Sequence, residues 1–194
     1  VKVPKATEDD KRLTVMSAYP DSSFHMDIYT KGRPRLYYAN ASGVGTNYVA
    51  NVDVRTGEWT HIAWVCDSAA CTVTCYINGE AVYTNDTIDK LVNVSTLYVG
   101  RDNRSGWQYP FVGQVADVRV WNKPLSAEQV QYSMKTAQMN QAEGLLLDLP
   151  LDEDQNAETL RDLSVNNNAV EVYQRVVEWI DVEKQPSDYS IVII

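Results

Sequence analysis

Short runs of alternating apolar and polar residues, each closed by Gly, Asn, Asp or Pro, fill the first 120 residues and restrict this chain to an antiparallel β architecture. Alternation predicts strands at 13–18, 24–29, 35–39, 48–52, 59–66, 71–77, 80–83, 96–99 and 112–121. Between two of them lies Asn78-Gly79. Both residue types tolerate positive φ, so the pair predicts a two-residue hairpin. Many short strands joined by tight turns predict a two-sheet sandwich or jelly roll. Val1 and Val3 flank Lys2 in the same alternation with no turn before them, so residues 1–3 read as the tail of a strand cut short.

One helix interrupts the pattern. Ser126 followed by Gln129 is a capping box, with Pro124 just ahead of it. Val130, Met134 and Ala137 then form a narrow apolar stripe, predicting a short helix near 127–137 that lies on a sheet. Strand character resumes at 145–151, 170–173 and 175–180. A segment of roughly 50 residues buries too little surface to hold its own core, so residues 144–194 are expected to return to the same sandwich. The expectation is one domain over residues 1–194.

Charge narrows the partners. The net charge is −9, and residues 143–194 carry twelve Asp/Glu against three Lys/Arg, while the rest of the chain is nearly balanced. Binding to phosphate backbones needs clustered cationic surface, which this chain does not offer, so nucleic acid is not an expected partner. No apolar run reaches the roughly 18 residues of a membrane helix, so no transmembrane segment is expected. The opening residues hold no apolar signal core, a feature shared by cytosolic chains and trimmed secreted ones. Twelve Tyr and five Trp against two Phe favour half-exposed surfaces, because both have a flat apolar body with a polar tip.

Trp59-Thr-His61-Ile-Ala63, Cys75-Tyr76-Ile77-Asn78-Gly79 and Leu97-Tyr98-Val99-Gly100 form an ordered series. It continues through Phe111-Val-Gly113-Gln-Val-Ala-Asp117-Val-Arg119-Val-Trp121-Asn122 to Pro124-Leu125-Ser126. The series resembles the concanavalin A-like jelly roll of laminin G-like (LamG-like, pentraxin-related) domains over about residues 10–132. Leu149-Pro150-Leu151-Asp152-Glu153 and Asp162-Leu-Ser164-Val-Asn166-Asn-Asn168 are similar to the segment that usually opens such domains. Here they lie C-terminal, an arrangement similar to that of surface lipoproteins of gut bacteria. Val165 and Asn167 replace two glycines of the pattern, and Val does not tolerate the left-handed conformation, so the turn at Val165 is expected to differ. By the same resemblance, Val1-Lys2-Val3 matches the end of the strand that precedes the series, and His61 takes a structural hydrogen bond.

Some jelly rolls of this superfamily are glycoside hydrolases, which carry Glu-x-Asp-x-Glu on one strand so that alternation aims every carboxylate into one cleft. That spacing is missing here, and neither His lies in a nucleophile motif. No catalytic residue is expected, and the chain is not expected to be an enzyme. Asp152, Asp154 and Asn156 have the spacing of a Ca²⁺ loop, but Ala157 stands where the loop needs Gly and Leu163 where it needs Glu. No cofactor is required, and a structural Ca²⁺ is the one weak metal candidate. Cys66 and Cys71 bracket 67–70, so a four-residue hairpin would set them opposite each other, with Trp64 facing Val73. A Cys66–Cys71 disulfide with Cys75 free, or three buried thiols packing as small hydrophobes, both fit.

The binding candidate is the loop 101–109, which places Arg101, Asp102, Asn103, Arg104, Trp107 and Tyr109 within nine residues. An aromatic platform beside guanidinium, carboxylate and amide groups is what a sugar requires. Tyr37, Tyr38 and Tyr48, with Asn40, form a second cluster on the sheet. Sequons at Asn40, Asn85, Asn93 and Asn103 mean glycosylation only in a eukaryotic secretory host. The expected function is a non-catalytic, lectin-like module, extracellular or on the outer cell surface, that binds a glycan or a cell-surface protein beside other modules of a longer chain. Two alternatives stand: a glycoside hydrolase-associated domain whose catalytic groups lie elsewhere, and a structural spacer or protein-interaction domain.

Overall fold

The computed structural model describes residues 1–18, 24–40, 42–88, 96–102, 109–137, 139, 142–153, 157, 159–170 and 172, and the backbone of 191–193. Two sheets enclose the core. The first has five strands, β1 (Leu13–Ala18), β2 (Phe24–Tyr29), β3 (Arg33–Ala39), β4 (Gly45–Val49) and β8 (Tyr98–Val99), in the order β4-β3-β2-β1-β8. The second has six, β5 (Ile62–Asp67), β6 (Thr72–Ile77), β7 (Glu80–Asn85), β9 (Val118–Trp121), β10 (Leu145–Leu149) and β11 (Ile191–Ile193), in the order β10-β9-β11-β5-β6-β7. The fold is a two-sheet β-sandwich with, among the described residues, one short α-helix, α1 (Ala127–Lys135).

Period two sorts the side chains. Leu13, Met16, Met26, Ile28 and Leu36 from the first sheet meet Ile62, Trp64, Cys66, Val73, Cys75, Val118 and Leu149 from the second in one buried cluster. Ala63, Val65, Trp121 and Leu145 point the opposite way and pack under α1 through Leu125 and Val130. Ser126 caps α1, accepting from the Gln129 N–H at 3.3 Å while its own N–H donates to Gln129 Oε1 at 2.8 Å. The inward helix face is Val130 with Ser133, whereas Ala137 is exposed, so the apolar stripe is shorter than the spacing predicts. Asn78 and Gly79 adopt φ of 51° and 81°, the hairpin turn expected of them.

Several strands are shorter than alternation predicts, for local reasons. Asp117 has φ of 49° and Gly113 φ of 141°, so the run 112–121 becomes regular only at Val118. Residues 59–61 stay outside β5 because Trp59 bridges Lys2 and the Thr60 N–H donates to the Val1 carbonyl at 2.7 Å. β10 pairs antiparallel with β9, so the chain beyond α1 does rejoin the second sheet. β11 lies between β5 and β9 and runs parallel to both, a departure from a wholly antiparallel sandwich. Of the other expected C-terminal strands, 175–180 lies outside the described residues, as does most of 170–173.

The β5–β6 hairpin corrects the cysteine geometry. Asp67 Oδ1 accepts the N–H groups of Ala69 and Ala70 at 2.9 and 3.0 Å, which fixes a turn over Ser68–Cys71 and pairs Asp67 with Thr72. Cys66 therefore faces Val73, and Trp64 faces Cys75, a register two residues away from the one a Cys66–Cys71 bridge needs. Cys71 is exposed in the turn at φ 57°, and all three cysteines are free thiols. Burial pushes the Cys66 thiol up to about 12 and raises Cys75 as well, so both behave as core hydrophobes.

Candidate functional site

The outer face of the five-stranded sheet carries the polar half of the alternation. Thr14 lies opposite Asp27, Ser17 opposite His25, Asp27 opposite Arg35, His25 opposite Tyr37, and Tyr37 opposite Asn47. Strand pairing thus sets one continuous row of polar groups across four strands, because residues directly opposite share a face.

Asp27 is its centre. Its Oδ2 accepts from Arg35 Nε at 3.0 Å and from Arg35 Nη2, and lies 3.1 Å from Arg12 Nε. Arg12 Nη2 donates to Asp102 Oδ2 at 3.3 Å, and His25 Nδ1 stands 3.7 Å from the same oxygen. Arg35 Nη1 donates to Asn47 Oδ1 at 3.1 Å. Asp27 and Asp102 are both fully buried, Asp27 facing the guanidinium groups of Arg12 and Arg35 and Asp102 that of Arg12. Asp27 Oδ1 and Thr14 Oγ1, on opposed residues of this face, are buried without a hydrogen-bond partner among the described residues. Buried polar atoms left open in this way are rare in folded proteins.

Aromatic rings border the row. The Arg12 guanidinium lies 4.5 Å from the Tyr109 ring centroid and that of Arg35 4.2 Å from the Tyr29 centroid. His25 and Tyr37 are tilted against each other at 5.5 Å. Tyr29, Tyr37 and Tyr109 are half-buried, and Asn47 is exposed. Gly45 on β4 makes room for Tyr37, since any side chain there would run into its ring and hydroxyl.

The sequence-derived candidates divide on this geometry. Tyr37, Asp102 and Tyr109 join the polar face. Arg101 is half-buried beside it, its carbonyl accepting from Ser17 Oγ at 2.9 Å. Asn103, Arg104 and Trp107 lie outside the described residues. Tyr38 and Tyr48 do not belong to a binding cluster: they occupy the other alternation phase and are buried at 2% and 1% exposure, so the proposed Tyr37–Tyr48 group separates onto two faces. Asn40 is a turn residue whose Oδ1 accepts from the Ser42 and Val44 N–H groups. Asp152 stands 3.5 Å from Arg161, while Asp154 and Asn156 lie outside the described residues. Among the described residues no three His, Cys, Asp or Glu side chains gather closely enough to hold a metal.

Arg12, His25, Asp27, Arg35 and Asn47 escaped the sequence reading. Their signal was present, since His25, Asp27, Arg35, Tyr37 and Asn47 all sit in the polar phase of adjacent strands. What alternation cannot supply is the meeting of Arg12 with Asp102, 90 residues away. The second sheet holds a comparable cluster under α1. Arg119, fully buried, donates from Nε to Asp148 at 2.8 Å, from Nη1 to the Ser133 carbonyl at 2.7 Å and from Nη2 to the Ala137 carbonyl at 3.0 Å. Behind it Asp162 accepts the N–H groups of Asp148, Ser164 and Asn168. Burial alone would raise the Asp162 carboxyl, but those three backbone N–H groups hold it below the usual range. His61 also lies on this side: its backbone pairs with Asn78, while among the described residues neither ring nitrogen has a partner, so the hydrogen bond expected of the imidazole is made by the main chain instead.

The family profile described as the concanavalin A-like lectin/glucanases superfamily matches residues 1–131. The chain belongs to that superfamily. Among solved structures it is similar to a candidate carbohydrate-binding protein from Bacteroides ovatus, at 24% identity and a TM-score of 0.66, over 83% of this chain and 47% of that one. The chain thus spans about half the length of that relative. Two further likenesses are fainter. One is an S-layer domain-containing protein from Clostridium thermocellum, at 18% identity and a TM-score of 0.38, over 65% of this chain and 64% of that one. The other is the binding domain of Paraclostridial Mosquitocidal Protein 1, at 14% and 0.48, over 72% and 36%. No curated protein matches. Among the described residues no helix is long and apolar enough to cross a membrane.

Proposed function

We propose that this superfamily member is a non-catalytic glycan-binding module, acting outside the cell or on its outer surface. The observation that carries the reading is the outer face of the five-stranded sheet. There a buried Asp27 keeps one oxygen and Thr14 its hydroxyl without partners among the described residues, between half-exposed tyrosines and the exposed Asn47 amide. Sugars present alternating hydroxyl donors and acceptors with apolar ring faces, and this face offers carboxylate, amide, hydroxyl and aromatic surface in one row. The superfamily and the likeness to a candidate carbohydrate-binding protein support the same reading. Catalysis is a poor fit, because Asp27 and Asp102 have their Oδ2 atoms engaged by guanidinium groups rather than opposed across an open cleft.

The test is a glycan array followed by titration of the best binder against two variants. Tyr37→Ala should weaken binding about ten- to hundredfold with little change in Tm, the signature of a half-exposed stacking residue. Trp107→Ala, in the sequence-derived loop, serves as the contrast. A loss at Trp107 with full affinity in Tyr37→Ala would move the site from the sheet face to the loop 101–109.

A further inference from the structure

The arginines on this face are not treated alike. Among the described residues Arg12 and Arg35 form ion pairs with Asp27 and Asp102, whereas Arg33 forms none. It sits in the same alternation phase as Arg35 and Tyr37, opposite Tyr29, at the end of the face where the turn Thr30–Gly32 joins β2 to β3. Its contacts are both neutral: Nε donates to the Thr30 carbonyl at 3.1 Å and Nη2 to the Thr30 hydroxyl at 3.4 Å. These bonds hold the planar group half-buried in a fixed orientation without cancelling its charge. Tyr29 separates it from Arg35, whose guanidinium covers the Tyr29 ring.

We infer that the glycan taken by this face is acidic, with a carboxylate or sulfate paired to Arg33 and the sugar ring lying along Tyr29 and Tyr37. The inference rests on the glycan-binding reading above and adds the ligand's charge. A half-buried, pre-oriented guanidinium with neutral partners gains a charge-assisted, fork-shaped contact from an anion and nothing comparable from a neutral hydroxyl. A neutral ligand would leave that positive charge uncompensated where solvent only partly reaches it. Asp27 does not oppose the anion, since two guanidinium groups already offset its charge.

The experiment compares matched pairs by titration: an oligogalacturonate with its methyl ester, and a heparin-derived oligosaccharide with its desulfated form. The wild-type chain should favour the charged member of at least one pair by about tenfold or more, and the pair that shows it separates carboxylate from sulfate. Raising salt from about 50 to about 500 mM should erode that preference, since screening acts on the ionic part alone. Arg33→Gln should abolish the preference, bringing the charged member's affinity down to about that of the neutral one, and Arg33→Lys should keep part of it. Equal binding of charged and neutral members, or a preference that survives Arg33→Gln, would overturn the inference while leaving the glycan-binding reading intact. Failure of every glycan, on the array as well as in these pairs, would overturn both.

Discussion

Each outer face of the sandwich buries an arginine against an aspartate, yet the two faces handle the remaining bonding capacity in opposite ways. On the second sheet all three Arg119 nitrogens reach acceptors of the fold itself, one on Asp148 and two on carbonyls at the end of α1 and just beyond it. On the first sheet no helix among the described residues covers the row. Arg12 and Arg35 share Asp27, yet among the described residues one oxygen of that carboxylate and the Thr14 hydroxyl have no hydrogen-bond partner, beside an exposed amide and half-exposed rings. Closed capacity attaches a helix to a sheet, and under the proposed function the open capacity belongs to the face that meets a ligand.

The contrast is broken most forcefully at Arg119. Arg119→Met strips Asp148 of its guanidinium and the C-terminal end of α1 of two donors, and should cost about 3–5 kcal/mol in urea denaturation. A loss below about 1 kcal/mol would mean that the helix-side cluster is no clamp. His61, buried on the same side, sharpens the point through pH. Burial lowers its pKa from 6.5 to about 3, so the folded chain keeps the ring neutral while the unfolded chain takes up a proton. The stability contribution is complete above about pH 6.5 and is lost as pH falls towards about 3, by up to about 1.4 kcal/mol per pH unit. His61→Leu should remove that share of the slope, so the variant should gain stability relative to wild type as pH falls from 6.5 to 5. Parallel curves would show that His61 does not titrate differently in the two states.

Smaller effects belong to the open face and the surface. Asp27→Asn should cost about 1–2 kcal/mol, less than Arg119→Met, because Arg12 retains Asp102 and Arg35 retains Asn47. A cost equal to that of Arg119→Met would make the two faces alike. Ser126→Ala, which removes only the helix cap, should cost about 1 kcal/mol by the same denaturation measurement. The helix should nonetheless stay docked, because Arg119 holds its far end.

Local chemistry made much of this fold legible. Asn78-Gly79 marked its turn, Ser126 with Gln129 marked the helix start, and alternation placed β1 and β2 at their observed bounds. Errors arose where a side chain intervened in the backbone pairing. Asp67 capped the β5–β6 turn and moved the register by two, which took Cys71 away from Cys66. Thiol titration of the denatured chain without reductant should accordingly count three free sulfhydryls, and a count of one would restore the bridge. The site was half legible. Tyr37 and Tyr38 are neighbours and so must face opposite ways, a consequence of period two that grouping them by residue type obscured. The ion-pair row was not legible, because Arg12, Asp27 and Asp102 come from three separate stretches of chain.

Chemical-shift mapping by NMR, with the glycan selected on the array, tests the central claim most directly. The account predicts that backbone and side-chain signals of His25, Asp27, Arg35, Tyr37 and Asn47 move on titration, while those of Arg119, Ser133 and Asp148 under the helix stay in place. Shifts confined to the helix side, with the row on β2, β3 and β4 unmoved, would contradict it.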